Sequence, residues 1–290
     1  MSPIARAEDF VSTRLGDLTT RLADHAYRRG ASFVAWLPEP MARALGRAVA
    51  DLCWRLSPRR RATLMQNLKR LLPDLDSGAL GTESRRAFGG FGESVVDTLR
   101  LARAPRGELE RRVQFEGLER LERALDEGGA VLLAAHAGNW EWAGAALARR
   151  GVPVTAPARR HQGPETEAFF AALRRRFGVR THGRLAPLLR GRDPRALALF
   201  LDRAGEGASQ ARPERMARGA AALAARRGWA LLPALCLREQ QNYRIVFGPR
   251  LAPGPASGQR AALARTALDF LETQLRAHRG QWFAFERLEP

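Results

Sequence analysis

Two hydrophobic patterns divide this chain. Up to about residue 112 the apolar positions recur every three or four residues, as in Met41, Leu45, Val49 and Leu52, which is the period of helices with one apolar face. Breaks fall at Pro38-Glu39-Pro40, Ser57-Pro58 and Pro73-Asp74, because proline removes a backbone donor and disfavours helix in the residue before it. From Gly129 onward short apolar runs alternate with helical stretches. Runs at 130–135, 153–157, 196–202, 230–237 and 242–247 read as strands, with helices at 140–149, 164–177 and 212–227 and a long closing helix at 257–279. Alternating strand and helix predicts α/β layering: a mixed central sheet flanked by helices, with the N-terminal helical part packed on it. Residues 1–290 are read as one unit, helical over 1–112 and an α/β core over 113–290.

The most informative stretch is 131–142, VLLAAHAGNWEW, where an apolar strand runs into His136, Gly138, Asn139 and Glu141. The His-x-x-x-x-Glu spacing alone means little, since five histidines and 30 acidic residues supply it freely. On one continuous helix the two side chains would stand roughly 140° apart. A strand-to-helix turn can bring them together: Gly138 tolerates a positive φ, and Gly138 or Asn139 can cap the helix. Glu141 then falls in the first helical turn, where it could hold an imidazole nitrogen. Two readings fit these residues, a proton-transfer pair and a core histidine beside a capping glutamate.

Charge narrows the partners. Lys and Arg outnumber Asp and Glu 48 to 30, a net charge of +18, and the pI is near 11.5, so the surroundings are expected to be anionic: a phosphate-bearing lipid surface, an acidic carrier protein or nucleic acid. Only Lys69 is lysine, an arginine bias that, with the alanine excess, points to a GC-rich genome. Cys53 and Cys236 lie in apolar segments without metal-ligand spacing and read as core thiols in a reducing compartment. Arg6, Glu8, Asp9, Arg14 and Asp17 interrupt any secretory leader, and no run of about 18 uncharged apolar residues is long enough to span a bilayer. Residues 31–56, with Phe33, Trp36, Met41, Leu45, Val49 and Leu52 and with Arg59-Arg60-Arg61 behind, suit either a membrane-seeking surface or an ordinary buried helix pair.

The block HAGNWEWAG resembles the His-x-x-x-x-Asp/Glu signature of bacterial lysophospholipid-type acyltransferases. It is most similar to the lipid A biosynthesis lauroyl/myristoyl acyltransferases and their phosphatidylinositol mannoside acyltransferase relatives. Collinear segments extend the resemblance over nearly the whole chain: Leu56-Ser57-Pro58-Arg59-Arg60-Arg61 with Asn67-Leu68 and Leu72-Pro73, Phe91-Gly92-Glu93-Ser94 to Asp97, Leu199-Phe200-Leu201-Asp202-Arg203, the strand from Gly228 to Pro233, and His278 to Phe283. The resemblance implies transfer of an acyl group from acyl carrier protein or acyl-CoA, as co-substrate and with no cofactor or metal, to a hydroxyl of a lipid A precursor or related glycolipid. It places the protein at the cytoplasmic face of the inner membrane; members of that family often carry an N-terminal span, and the lack of one in this sequence argues for peripheral attachment.

Within that resemblance His136 is the expected general base and Glu141 its orienting partner. No serine or cysteine sits in the motif, which favours direct transfer through a ternary complex. Arg159, Arg160, Asp202, Arg203 and Asn139 are the expected substrate-binding residues, although two arginines in an arginine-rich chain also suit a solvated turn, and Asp202-Arg203 a strand end turning into solvent. The loop 204–210 lacks the aromatic residues that relatives carry, which leaves an altered acceptor pocket, a different lipid such as a lysophospholipid, or an inactive membrane-associated homologue as alternatives. A nucleic-acid binder would explain the charge, but no zinc spacing or stacking segment supports it. A metallohydrolase would need a second histidine at ligand spacing.

Overall fold

The computed structural model describes residues 30, 32–105, 107–152, 154–158, 163–183, 195–203, 211–252 and 256–289. Three helices come first, α1 (Glu39–Leu56), α2 (Pro58–Leu71) and α3 (Ser77–Leu101), with helical residues at 32–36 ahead of them. Then follow α4 (Glu108–Arg112), β1 (Val113–Glu116), α5 (Leu118–Asp126), β2 (Ala130–Ala134), α6 (Trp140–Arg149), β3 (Val154–Pro157), α7 (Pro164–Phe177), β4 (Arg180–His182), β5 (Ala196–Phe200), α8 (Pro213–Arg227), β6 (Ala230–Glu239), β7 (Asn242–Phe247) and α9 (Ser257–Ala277), with a 3₁₀ turn at Arg279–Gln281.

The strands form one seven-stranded sheet in the order β1-β7-β6-β2-β5-β3-β4, parallel at every junction except the β6–β7 hairpin. The apolar strand runs are uninterrupted because both faces are covered by helices. Val131 and Leu133 face a core shared with α2, α8 and α9, whereas Ala130 and Leu132 face one shared with α5, α6 and α7. The fold is the expected mixed α/β sheet flanked by helices.

Helix ends follow local chemistry. α7 and α8 each begin with proline at the first position and end at a left-handed glycine, Gly178 (φ 78°) and Gly228 (φ 66°), the usual asymmetry of helix termini. β1 and β4, absent from the sequence expectation, are short edge strands. Every residue of β4 is exposed, so it carries no apolar signal.

The N-terminal helices are tied to the sheet by a polar lock. Arg43 of α1 is buried and donates to Asp97 of α3 through Nε at 3.0 Å and Nη2 at 2.9 Å, and to the Gln240 carbonyl of the β6–β7 turn at 3.0 Å. The Tyr243 hydroxyl donates to the same carboxylate. α1 and α3 cross where Gly46 meets Gly92; a Cβ on Gly46 would lie 2.8 Å from the Gly92 carbonyl oxygen. The opposite face of α1 is apolar and exposed. Trp36 is 85% exposed and Leu56 72%, and Met41, Leu45, Val49 and Leu52 continue the stripe. Of the two sequence readings of this segment, the buried helix pair holds only for the side packed on α3.

Cys236 is buried in β6 but Cys53 is exposed, which corrects the expectation of two core thiols: Cys53 falls on the solvent side of the amphipathic α1. Burial pushes the Cys236 thiol up to about 12. At neutral pH only about one molecule in 10⁵ carries a thiolate there. An alkylating reagent is therefore expected to modify Cys53 in the folded protein and Cys236 only after unfolding, a difference that mass spectrometry of labelled peptides would read.

Candidate active site

β2 and β5 are parallel neighbours with Ala134 opposite Phe200. Two residues beyond each, at the carboxyl ends of the strands where ligands of open α/β sheets bind, stand His136 and Asp202. The His136 Nδ1 lies 2.7 Å from Asp202 Oδ1, and the His136 backbone N–H donates to Oδ2 at 2.8 Å. Trp282 adds an indole N–H at 2.9 Å to the same Oδ2. Asp202 is 5% exposed. Burial pushes its carboxyl up, but the charge and hydrogen bonds of His136 and the Trp282 donor outweigh burial and leave it below the usual carboxylate range. An ionised carboxylate only accepts, so the proton of a neutral imidazole sits on Nδ1 and the lone pair on Nε2.

The ring is boxed by aromatics. Phe200 lies tilted against it with centroids 4.5 Å apart, and Trp140 meets it edge-on at 4.8 Å. The loop that carries the histidine is held by the C-terminal segment: Phe283 N–H donates to the His136 carbonyl at 2.8 Å, Gly138 N–H to the Gln281 carbonyl at 3.0 Å, and Ala137 bridges to Trp282. Gly138 turns the chain at φ 56°, pressed so closely on β6 that a Cβ would lie 1.9 Å from the Cys236 carbonyl oxygen.

Glu141 does not hold His136. Its oxygens accept from Arg174 of α7, from Nε at 3.2 Å and Nη2 at 2.5 Å, and the orienting place expected of Glu141 is taken by Asp202. The strand register explains the exchange: β5 delivers a carboxylate directly beside the histidine, while α6 carries Glu141 toward α7. Asn139, expected to bind substrate, is 1% exposed. Its carbonyl oxygen caps α6 through the Trp142 N–H at 3.3 Å and its amide donates to the Ser94 carbonyl and Thr98 Oγ1, both at 3.0 Å. It is a buried strut between α6 and α3. Asp202 likewise moves from the expected binding residues to the histidine. Arg203 pairs with Glu286 at 3.2 Å and lines a cavity that also reaches His136. Arg159 and Arg160 lie outside the described residues, as does the loop 204–210.

A cavity of about 700 Å³ opens beside the histidine, in the size range of ligand pockets (roughly 300–1,000 Å³). His136, Trp140, Glu141, Arg174 and Arg203 supply polar edges; Leu132, Ala143, Leu147, Val154, Phe170, Val179 and Phe247 supply apolar walls between the sheet, α6 and α7. Among the described residues no three His, Cys, Asp or Glu side chains are grouped to share a metal ion.

Sequence reasoning missed Trp282 and the pairing of His136 with Asp202. Each lies in a separate motif fragment; the signal that joins them is that these fragments end at the carboxyl end of the sheet, His136 and Asp202 two residues beyond β2 and β5.

The chain is similar to known proteins. Residues 15–203 match the family model described as "Bacterial lipid A biosynthesis acyltransferase". The phosphatidylinositol mannoside acyltransferase of Mycobacterium tuberculosis (strain ATCC 25618 / H37Rv) is 30% identical over 186 residues, covering 57% of this chain and 56% of that protein, so the match spans little more than half of the relative's length. The protein of the same name from Mycolicibacterium smegmatis is 25% identical over 282 residues, 90% of each chain. With its strand-end histidine and carboxylate beside an apolar cavity, the chain belongs to the bacterial lipid A biosynthesis acyltransferase family.

Proposed function

We propose that this protein is an O-acyltransferase that moves a fatty acyl group from a thioester, carried by acyl carrier protein or CoA, to a hydroxyl of a phosphorylated glycolipid at a membrane surface. The observation that carries this reading is the buried His136–Asp202 pair at the edge of a cavity large and apolar enough for a hydrocarbon chain.

His136 Nε2 takes the acceptor hydroxyl's proton as that oxygen attacks the thioester carbonyl. Asp202 holds the ring and stabilises the imidazolium that forms. The tetrahedral intermediate then expels a thiolate, which takes the proton from Nε2. Its oxyanion is accommodated by the start of α6, where the Asn139 side chain takes only the Trp142 N–H and the first two backbone N–H groups have no intrahelical partner. A covalent acyl-enzyme is disfavoured because the cysteine lining the cavity, Cys236, is held in its thiol form.

The acceptor is read from the family as a lipid A precursor, and from the mycobacterial relatives, whose names specify phosphatidylinositol mannoside, as a mannosylated inositol lipid; both are anionic glycolipids and suit a chain of charge +18. Incubating the protein with radiolabelled acyl carrier protein thioester and each acceptor tests the reading. Transfer of label to either lipid supports it; no transfer to any lipid hydroxyl overturns it.

Attachment is proposed through α1. No helix among the described residues is long and apolar enough to cross a membrane, but the stripe of Met41, Leu45, Val49, Leu52 and Leu56, flanked by arginines, matches a helix lying in the interface of an anionic bilayer. Replacing Leu45, Val49 and Leu52 by serine is expected to weaken sedimentation with phosphatidylglycerol vesicles more than tenfold, at about 1 kcal/mol per partly buried side chain, without lowering thermal stability.

A further inference from the structure

Glu141 stands where the sequence pattern puts the histidine's carboxylate, yet it is committed to another cation. The Glu141 and Arg174 side chains are 6% and 13% exposed. An ion pair this dry gains little stability over apolar packing, so its presence calls for a use. Both residues lie on the wall of the apolar cavity that also reaches His136. The guanidinium stands over the Phe170 ring, 5.4 Å from its centroid. Glu141 occupies the Nε and Nη2 edge, and Arg174 Nη1 has no hydrogen-bond partner among the described residues. The carboxylate thus fixes the plane of the guanidinium and leaves one amino group as a donor at a mostly apolar cavity.

We infer that Glu141 is a positioning residue for Arg174 rather than for His136, and that Arg174 Nη1 binds the carbonyl end of the acyl donor. This rests on the acyl-transfer reading above. A long acyl thioester has one polar end, and a fixed, poorly hydrated donor beside the cavity recognises it with directional strength. The contact acts on binding of the donor, so it moves KM more than kcat.

Glu141→Gln and Arg174→Met are expected to raise the acyl donor's KM about tenfold or more. The double variant is expected to be no worse than the poorer single, because the two residues act as one unit. The pH dependence of kcat is expected to stay as in the wild type for Glu141→Gln and to move for Asp202→Asn. Should a single variant fail to fold for want of its partner, the double variant, which removes both charges together, decides the question: a folded double variant with wild-type donor KM overturns the inference. A shift of the pH profile in Glu141→Gln matching that of Asp202→Asn also overturns it. Proton NMR titration of the His136 ring needs no substrate. If the wild type transfers no acyl group, the acyl-transfer reading falls by itself, and an unmoved His136 titration in Glu141→Gln still shows that Glu141 does not serve His136.

Discussion

Replacing His136 by alanine is expected to lower kcat/KM for acyl transfer by about 10²–10⁴-fold, the range lost with a general base, while the circular dichroism spectrum stays that of the wild type. The ring is largely buried, its side chain 14% exposed, so alanine costs some stability, but the loop is held by backbone bonds to residues 281–283 that alanine retains. Asp202→Asn is expected to cost a similar factor by a different route. An asparagine that keeps its oxygen toward the Trp282 indole and the His136 N–H must turn its NH₂ toward Nδ1. Nδ1 then becomes the acceptor, the proton moves to Nε2, and the ring presents a donor where the acceptor hydroxyl needs a base. In the proposed mechanism both residues serve one proton transfer, so His136→Ala/Asp202→Asn is expected to be no slower than the slower single variant. Steady-state rates of the three proteins check this; a double variant slower by the product of the two factors would assign Asp202 a separate task.

Gly138→Val is expected to destabilise the protein by more than about 3 kcal/mol and to abolish activity. Two costs add. A β-branched residue at φ 56° is strained by roughly 1–3 kcal/mol, and the new Cβ would stand 1.9 Å from the Cys236 carbonyl oxygen, which is backbone of a central strand and cannot rotate aside. Either β6 or the His136 loop must move. A fall in Tm of at least about 6 °C follows for a chain of this size, read by differential scanning calorimetry. Gly151 is the control. Its φ of 79° is equally positive, but nothing lies within 4 Å of the position a Cβ would take, so Gly151→Ala isolates the conformational cost, about 1 kcal/mol.

The α/β half of this fold was legible in the sequence because its signals are local. Apolar runs preceded by glycine mark β2 and β6, an apolar run between charged residues marks β5, and proline at the start with glycine past the end marks α7 and α8. The site was half legible. His136 and Asp202 each end a recognisable run, but their contact depends on β2 and β5 being neighbours, a fact of strand order that no spacing in a linear chain encodes. The nearer carboxylate, Glu141, drew the expectation because it is five residues away rather than 66. The helix begins at Trp140 as expected; what misled was the direction in which it carries Glu141, toward Arg174 across the α6–α7 packing. Asn139 misled for a related reason: its exposure depends on α3 supplying the Ser94 carbonyl and the Thr98 hydroxyl, a contact across more than 40 positions.

The pairing of residues 136–138 with 281–283 fixes when the site comes into being. A ribosome makes His136 early, and the parallel strands around it can dock as they emerge, but the indole that completes the Asp202 cage and the amide that anchors the His136 carbonyl come from Trp282 and Phe283. A nascent chain can therefore possess its sheet, its cavity and its exposed apolar helix before His136 is ordered. The base is ordered only once residues 281–283 have docked against the His136 loop.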